Sequence, residues 1–287
     1  MEKNAFRRQR FSSRWQDIKS SPHPLRDFAA NVSRVARRAI AESKNPVIEE
    51  QVIYLDRLPA EFDGWRVVQL SDVHHSPFVD EEQIRNSVEI ANALRPDVTV
   101  LTGDYVSHGI DYIAPVADIL GNLRARCGVY AVLGNHDYRT DARLITDLFR
   151  IERINVLINS GLRLEKGGAA IWLCGVDDTL YGAPDLDLAL AGSGDEEFRF
   201  LLCHNPAILR RAAVAGIDLI VAGHTHGGQV RLRPRNQNFI LPKNRRAGGL
   251  SQRGAAQIYV SRGIGTSVLP IRYQCPPEIS LLELRKS

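Results

Sequence analysis

Two of the eight histidines in this 287-residue chain, His224 and His226, stand one residue apart where the apolar run Leu219-Ile220-Val221-Ala222 ends and a pair of glycines begins. Four other apolar runs end in comparable residues. "VVQL" leads into Asp72 and His74, "VTVL" into Asp104, "VYAVL" into Asn135, His136 and Asp137, and "FLLC" into His204 and Asn205. Singly, each is an ordinary polar turn or cap, the places Asp and Asn favour. Together, in order, each after an apolar run, they point to a metal site assembled from distant segments, because imidazole nitrogen and carboxylate oxygen are ligands of divalent transition metals. In an extended backbone residues two apart face the same way, so Asp72 with His74, and His224 with His226, are each expected to point to one side.

Such a site needs strands that end together. The apolar runs "WRVVQL", "VTVL", "GVYAVL", "AIWLCGV", "FRFLLC", "DLIVAG", "AQIYV" and "ISLLEL" alternate with helical spacing over 81–94, 112–125, 141–153 and 206–215, the last opened by Pro206. That alternation predicts an α/β sandwich, whose functional groups gather where strands end at their carboxyl side. Alternating "VIEEQVIYL" after Pro46 reads as an edge strand opening the folded domain near Asn45.

Composition narrows the setting. The four cysteines, Cys127, Cys174, Cys203 and Cys275, form no CxxC pair, which fits a reducing compartment and argues against thiolate-bound zinc. Residues 1–44 carry eleven Lys and Arg against four Asp and Glu, while the whole chain has a formal charge of only +4. The basicity therefore belongs to an arm, expected to be loose over 1–23 and an amphipathic helix after Pro24. Neither Arg7-Arg8 nor Arg37-Arg38 is followed by the apolar stretch of an export signal, so a cytoplasmic, non-exported chain is expected. Phe6, Phe11 and Trp15 among the arginines suit an anionic membrane surface, which is the working expectation; nucleic acid, for which the stretch between Asp137 and His204 offers no basic or aromatic insertion, and a solvated tail are the alternatives.

In order and spacing, "SDVH", "TGD", "GNHD", "CHNP" and "GHTHGGQ" resemble the motifs of the calcineurin-like metallophosphoesterases. The tail "YVSRGIGTSVLPIRYQCPPEISLLEL" is similar to the bacterial membrane-associated phosphodiesterase branch, which includes the chlamydial type of UDP-2,3-diacylglucosamine pyrophosphatase of lipid A synthesis. The resemblance covers roughly residues 50 to 285. It departs at His75-Ser76, where the family commonly has an apolar residue and glycine, and in lacking the membrane segment or export signal frequent in that branch.

What the resemblance implies is specific. It implies a four-layer αββα sandwich over residues 45–287 and a two-metal centre, one ion held by Asp72, His74, Asp104 and His226, the other by Asp104, Asn135, His204 and His224. Shells of two nitrogens and two oxygens suit manganese, iron or zinc better than magnesium or calcium. His136 is implied as a proton donor at the leaving oxygen, its ring held by Asp137. Arg262 and Arg272 are either phosphate-neutralising or solvent-facing. The expected activity is hydrolysis of a phosphodiester or pyrophosphate by water activated between two divalent metal ions, in a phosphate-ester substrate such as a nucleotide-linked lipid precursor. The alternatives are a nuclease or nucleotide phosphodiesterase with a nucleic-acid-binding arm, and a non-catalytic scaffold.

Overall fold

A computed structural model describes residues 24–231 and 248–287. The expected loose arm over 1–23 lies outside the described residues. In chain order the elements are α1 (Pro24–Ser43), β1 (Val47–Leu55), β2 (Trp65–Leu70), α2 (Glu81–Ala93), β3 (Val98–Thr102), α3 (Ile113–Leu120), β4 (Val129–Val132), α4 (Asn135–Thr140), α5 (Ala142–Ile151), β5 (Ile154–Val156), β6 (Ser160–Lys166), β7 (Ala169–Gly175), α6 (Leu186–Ala189), β8 (Phe198–Leu202), α7 (Leu209–Val214), β9 (Leu219–Ala222), β10 (Gly249–Arg253), β11 (Ala256–Val260) and β12 (Glu278–Lys286).

The strands form two six-stranded sheets, ordered β1-β12-β2-β3-β4-β5 and β10-β11-β9-β8-β7-β6. β2, β3 and β4 run parallel in the first, and β7, β8 and β9 in the second. Both faces of these strands are covered, which is why they read as unbroken apolar runs. Alternate residues sort between layers. Val67, Val98, Val100, Phe198, Phe200 and Val221 meet between the sheets, while Val68, Leu70 and Leu101 turn outward onto α2, α3 and α5, and Leu201, Ile220 and Ala222 onto α6 and α7. The result is the expected four layers, helix, sheet, sheet, helix. β1 is the edge strand expected, paired in parallel with β12.

Helix boundaries have local causes. α2 starts in a capping box, Asp80 accepting from the Gln83 N–H and Gln83 from the Asp80 N–H, and Asp141 caps α5 by accepting from Leu144 N at 2.9 Å. α3 stops at Leu120, earlier than the spacing predicts, because the Asn122 side chain takes the Asp118 carbonyl at 2.8 Å and the chain leaves the helix axis. Pro206 opens a 3-10 turn that runs into α7. β6 and β10, at opposite edges of the second sheet, had no distinct apolar signal.

α1 overhangs the body. Its last turns are docked: Ala39 is buried, its carbonyl accepts the Arg272 N–H at 3.1 Å, and Glu42 Oε1 accepts the Cys275 N–H at 2.6 Å. Val32 and Val35, on the same stripe as Ala39, stay 52% and 44% exposed. No helix among the described residues is long and apolar enough to cross a membrane. All four cysteines are free.

Phe200 is fully buried between the sheets. Phe200→Ala should lower unfolding free energy by about 3–5 kcal/mol, read from the denaturant midpoint at unchanged slope.

Candidate metal centre

β2, β3 and β4 of one sheet and β8 and β9 of the other end at a common seam, and of the strand-end residues singled out above all but Asn205 meet there; Asn205 caps the 3-10 turn at Pro206, accepting from Ala207 N at 3.0 Å. Gln69 fastens the seam, its Nε2 donating to Thr102 Oγ1 and to the Ala222 carbonyl, both at 2.9 Å. Asp72, His74, Asp104 and His204 are at most 2% exposed.

The side chains fall into two groups. In the first, His74 Nε2 lies 3.0 Å from His226 Nε2, and His226 Nε2 lies 3.4 Å from Asp72 Oδ1. In the second, His204 Nε2 lies 3.1 Å from His224 Nδ1 and 3.2 Å from Asn135 Oδ1. Asp104 Oδ2 stands between them, 3.6 Å from His74 Nε2 and 3.2 Å from His204 Nε2. Ligand atoms 3.0–3.6 Å apart have the spacing of neighbours around one cation with bonds of about 2.1 Å, and this donor set of imidazole, carboxylate and amide oxygen fits divalent transition metals. His226 joins the first group and His224 the second, the division that the resemblance implies rather than the common side that their spacing alone suggests.

The reason is backbone conformation. Asp72, His74, Asp104, His224 and His226 all have φ between 50° and 71°, so neither pair is extended; Asp72 and His74 nonetheless face one group, as their spacing predicts, while His224 and His226 part. Left-handed backbone at a non-glycine residue costs about 1–2 kcal/mol, and such strain persists only where neighbours over-determine it. Here they do. Asp72 N–H donates to the Gly103 carbonyl at 2.9 Å, His74 N–H to the Asp104 carbonyl at 3.0 Å, and His224 N–H to both Asp72 oxygens at 3.0 Å. Glycines make room: a Cβ on Gly134 would sit 2.3 Å from Asp104 Oδ1, and one on Gly223 would sit 1.9 Å from Ser71 Oγ.

Further contacts aim the rings. His204 Nδ1 meets the Thr102 carbonyl at 2.7 Å, which fixes its proton there and turns Nε2 to the cluster. His136 N–H donates to Asp104 Oδ1 at 2.8 Å, leaving Oδ2 to face both groups. His136 Nδ1 is held by the Ser107 carbonyl at 2.8 Å. Asp137 therefore does not hold that ring. Its oxygens accept from the backbone N–H groups of Asp104, Tyr105 and Gly134, each at 2.8 Å. The two residues are successive on α4, so their side chains diverge by about 100°. His75 and His108 touch the rim, through the Tyr112 carbonyl and the His136 ring respectively.

The electrostatics are those of anions taken out of water. Burial raises Asp72 to about 6 and Asp137 to about 7, with Asp104 adding to both. Burial also works to raise Asp104 and to lower His204, but their mutual attraction prevails, holding Asp104 well below the usual carboxylate range and His204 above that of a free imidazole. Burial pushes His74 down to about 3 and His226 well below its ordinary value, so both rings present lone pairs. His74 and His226 thus stand ready for a cation, whereas His204 holds its extra proton against Asp104 and would release it on binding one.

Arg272 is neither solvent-facing nor available to a phosphate: it is fully buried, and its guanidinium donates to backbone carbonyls. Arg262 pairs with Glu278 at 2.6 Å and Glu49 at 2.7 Å.

Comparison with known proteins adds an independent line. The description of calcineurin-like phosphoesterases matches residues 66–228. An uncharacterized metallophosphoesterase of Bacillus subtilis (strain 168), YkuE, is 31% identical over 244 residues, 83% of this chain and 85% of that protein. Phosphodiesterase YaeI of Escherichia coli (strain K12) is 29% identical over 225 residues, 77% of this chain and 82% of its own length. A transmembrane protein with metallophosphoesterase domain from Bos taurus is 33% identical over 257 residues, 84% of this chain but 57% of that protein.

Asp137→Ala would orphan three buried N–H groups and should cost about 3 kcal/mol or more, whereas His136→Ala, at the site surface, should change stability by less than about 1 kcal/mol. Denaturant unfolding of the two variants side by side checks the contrast.

Proposed function

The chain belongs to the calcineurin-like phosphoesterase family and hydrolyses phosphoester bonds, and from that premise we propose that Asp72, His74, Asp104 and His226 hold one divalent cation while Asp104, Asn135, His204 and His224 hold a second. The observation that carries this reading is Asp104 Oδ2, which among the described residues lies within 3.6 Å of imidazole nitrogens from both groups. When bound, two such cations act as Lewis acids toward phosphate and lower the pKa of water enough to give a nucleophile at neutral pH. Two nitrogens in each shell favour manganese, iron or zinc.

The chain's own residues supply position and protons. Asp104 is held by the His136 N–H on one oxygen and offers the other to both groups. Asp137 ties the Asp104 and Gly134 backbones together, so it acts as a positioning residue. A His136 ring nitrogen comes within 4.8 Å of the ligand atoms of His74 and Asp104. With Nδ1–H engaged by the Ser107 carbonyl, the doubly protonated ring is the form that gives its Nε2 proton to the departing oxygen and is left as neutral imidazole, an arrangement in which general acid catalysis contributes about 10²–10⁴ in rate.

The substrate we assign is a phosphodiester or pyrophosphate, a reading supported by the name of the Escherichia coli relative, a phosphodiesterase. A nucleotide-linked lipid precursor such as UDP-2,3-diacylglucosamine is the candidate that the tail's resemblance suggests. Metal-loaded protein should hydrolyse a simple diester and this pyrophosphate faster than the matching monoester or single-stranded nucleic acid, and chelation should abolish turnover. Preference for the monoester contradicts the diester assignment, and preference for nucleic acid makes the enzyme a nuclease. Asp104→Asn should lower the bound cations from two per chain to one or none, measured by elemental analysis. His136→Ala should keep both and lose about 10²-fold in kcat.

Residues 1–44 are assigned to an anionic membrane surface. Exposed Val32, Val35 and Ile40 beside exposed Arg34, Arg37 and Arg38 on α1 support this, since each basic residue near anionic headgroups contributes about 1 kcal/mol. The intact chain should float with phosphatidylglycerol vesicles and the Val32→Glu/Val35→Glu variant should not. Equal flotation would contradict the assignment.

A further inference from the structure

The segment from Ser261 to Pro277 has no regular secondary structure apart from an isolated bridge at Tyr273, yet it lies directly on the metal centre. Ile264 N–H donates to the Ser71 carbonyl at 2.9 Å and Gly265 N–H to the Asp72 carbonyl at 2.8 Å. The approach is so close that a Cβ on Gly263 would sit 2.6 Å from Asp72 Cβ, and one on Gly265 would sit 2.1 Å from the Val73 carbonyl oxygen. An irregular segment packed this tightly presents a problem. Its buried carbonyls have no ladder to join, and a buried carbonyl left unpaired costs free energy comparable to a lost hydrogen bond.

Arg272 meets that demand. Its Nε donates to the Gly265 carbonyl at 2.9 Å. One terminal nitrogen donates to the carbonyls of Gly265 at 2.6 Å, Arg262 at 2.7 Å and Gly263 at 3.0 Å, and the other to those of Cys275 at 3.3 Å and His226 at 3.4 Å. The first of these nitrogens also lies 3.4 Å from His226 Nδ1. No carboxylate pairs with this guanidinium among the described residues, although burying an unpaired cation is expensive. A fork of five donors in fixed geometry spans the turn at 262–265, the Cys275 carbonyl and the His226 backbone at once, which a lysine's single nitrogen cannot do. The same residue is tied outward, its own N–H donating to the Ala39 carbonyl of α1.

We infer that Arg272 is a positioning residue for the Asp72–His74–His226 half of the centre, locking the 262–275 segment and the His226 turn together so that the left-handed residues Asp72 and His226 keep their ligand atoms 3.4 Å apart. The inference rests on the two-cation reading given above. It makes the two cation positions unequal: among the described residues the hydrogen bonds of the Arg272 side chain go to Gly265, Arg262, Gly263, Cys275 and His226 and not to the group built on Asn135, His204 and His224, whose affinity does not depend on that residue.

The test compares wild type with Arg272→Gln and Arg272→Lys. Manganese titration followed by calorimetry and by electron paramagnetic resonance counts the ions, and hydrogen exchange of the metal-free proteins reads the loops. Both variants should bind one ion as wild type does and the other about 10- to 100-fold more weakly, the range seen when a residue supporting a ligand is removed. Both should exchange faster across residues 224–229 and 262–275, with protection of β2, β3 and β8 unchanged. Excess manganese should restore part of kcat. Two ions bound at wild-type affinity in both variants would overturn the inference. So would equal weakening of both ions together with lost protection throughout the sheets, which would make Arg272 a residue of general stability. Should wild type bind no ion, the two-cation reading fails instead, and exchange still decides on Arg272, since unchanged protection at 224–229 in the variants would refute its role.

Discussion

A single buried carboxylate, Asp104, lies between imidazoles carried by different sheets. One oxygen is taken by the His136 N–H at 2.8 Å, and the other faces His74 from the first sheet and His204 from the second. An anion so enclosed is far from water and must be compensated. The surrounding architecture meets that constraint: parallel strands end at one seam, backbone bends sharply at the ligands, and close contacts between loops are made at glycines.

The energetics explain why so many polar links surround the site. Five left-handed non-glycine residues, at about 1–2 kcal/mol each, represent strain comparable to much of the stability of an ordinary domain, about 5–15 kcal/mol. Hydrogen bonds worth about 1 kcal/mol each must therefore act in number. They do so in a closed circuit: Asp137 binds the backbone of Asp104 and Gly134, Asp72 receives the His224 N–H, and the 262–275 segment binds the Asp72 backbone while Arg272 reaches the His226 carbonyl. Removing one link releases strain stored at the next. The docked end of α1 joins the circuit through Arg272 and Cys275, so the N-terminal helix, for all that it overhangs the body, is mechanically connected to the centre.

Much of this was legible in the sequence, for a physical reason. Strands buried on both faces stand out as apolar runs, and the residues just past their ends can be read without knowing how the strands are ordered. That sufficed to bring Asp72, His74, Asp104, Asn135, His136, Asp137, His204, Asn205, His224 and His226 into one list and to anticipate an α/β sandwich; the resemblance to the calcineurin-like phosphoesterases narrowed the list to seven ligands and implied the four layers. Local backbone conformation was not legible. The Asp-x-His and His-x-His spacings suggested extended pairs, whereas the left-handed turns send His224 and His226 to different groups. Sequence adjacency also misled at Asp137, because neighbours on a helical turn point apart and the nearest acceptor for the His136 ring is the Ser107 carbonyl. Arg272 was illegible for a different reason: a guanidinium that serves only backbone carbonyls leaves no partner residue for a pattern to detect.

The central claim, that one carboxylate oxygen joins two cation positions, is tested most directly by anomalous diffraction from crystals grown with manganese. The account predicts two anomalous peaks about 3.5–4 Å apart, with Asp104 Oδ2 between them, one peak beside His74 and His226 and the other beside His204 and His224. One peak alone at full occupancy, or two peaks neither of which touches Asp104, would contradict it.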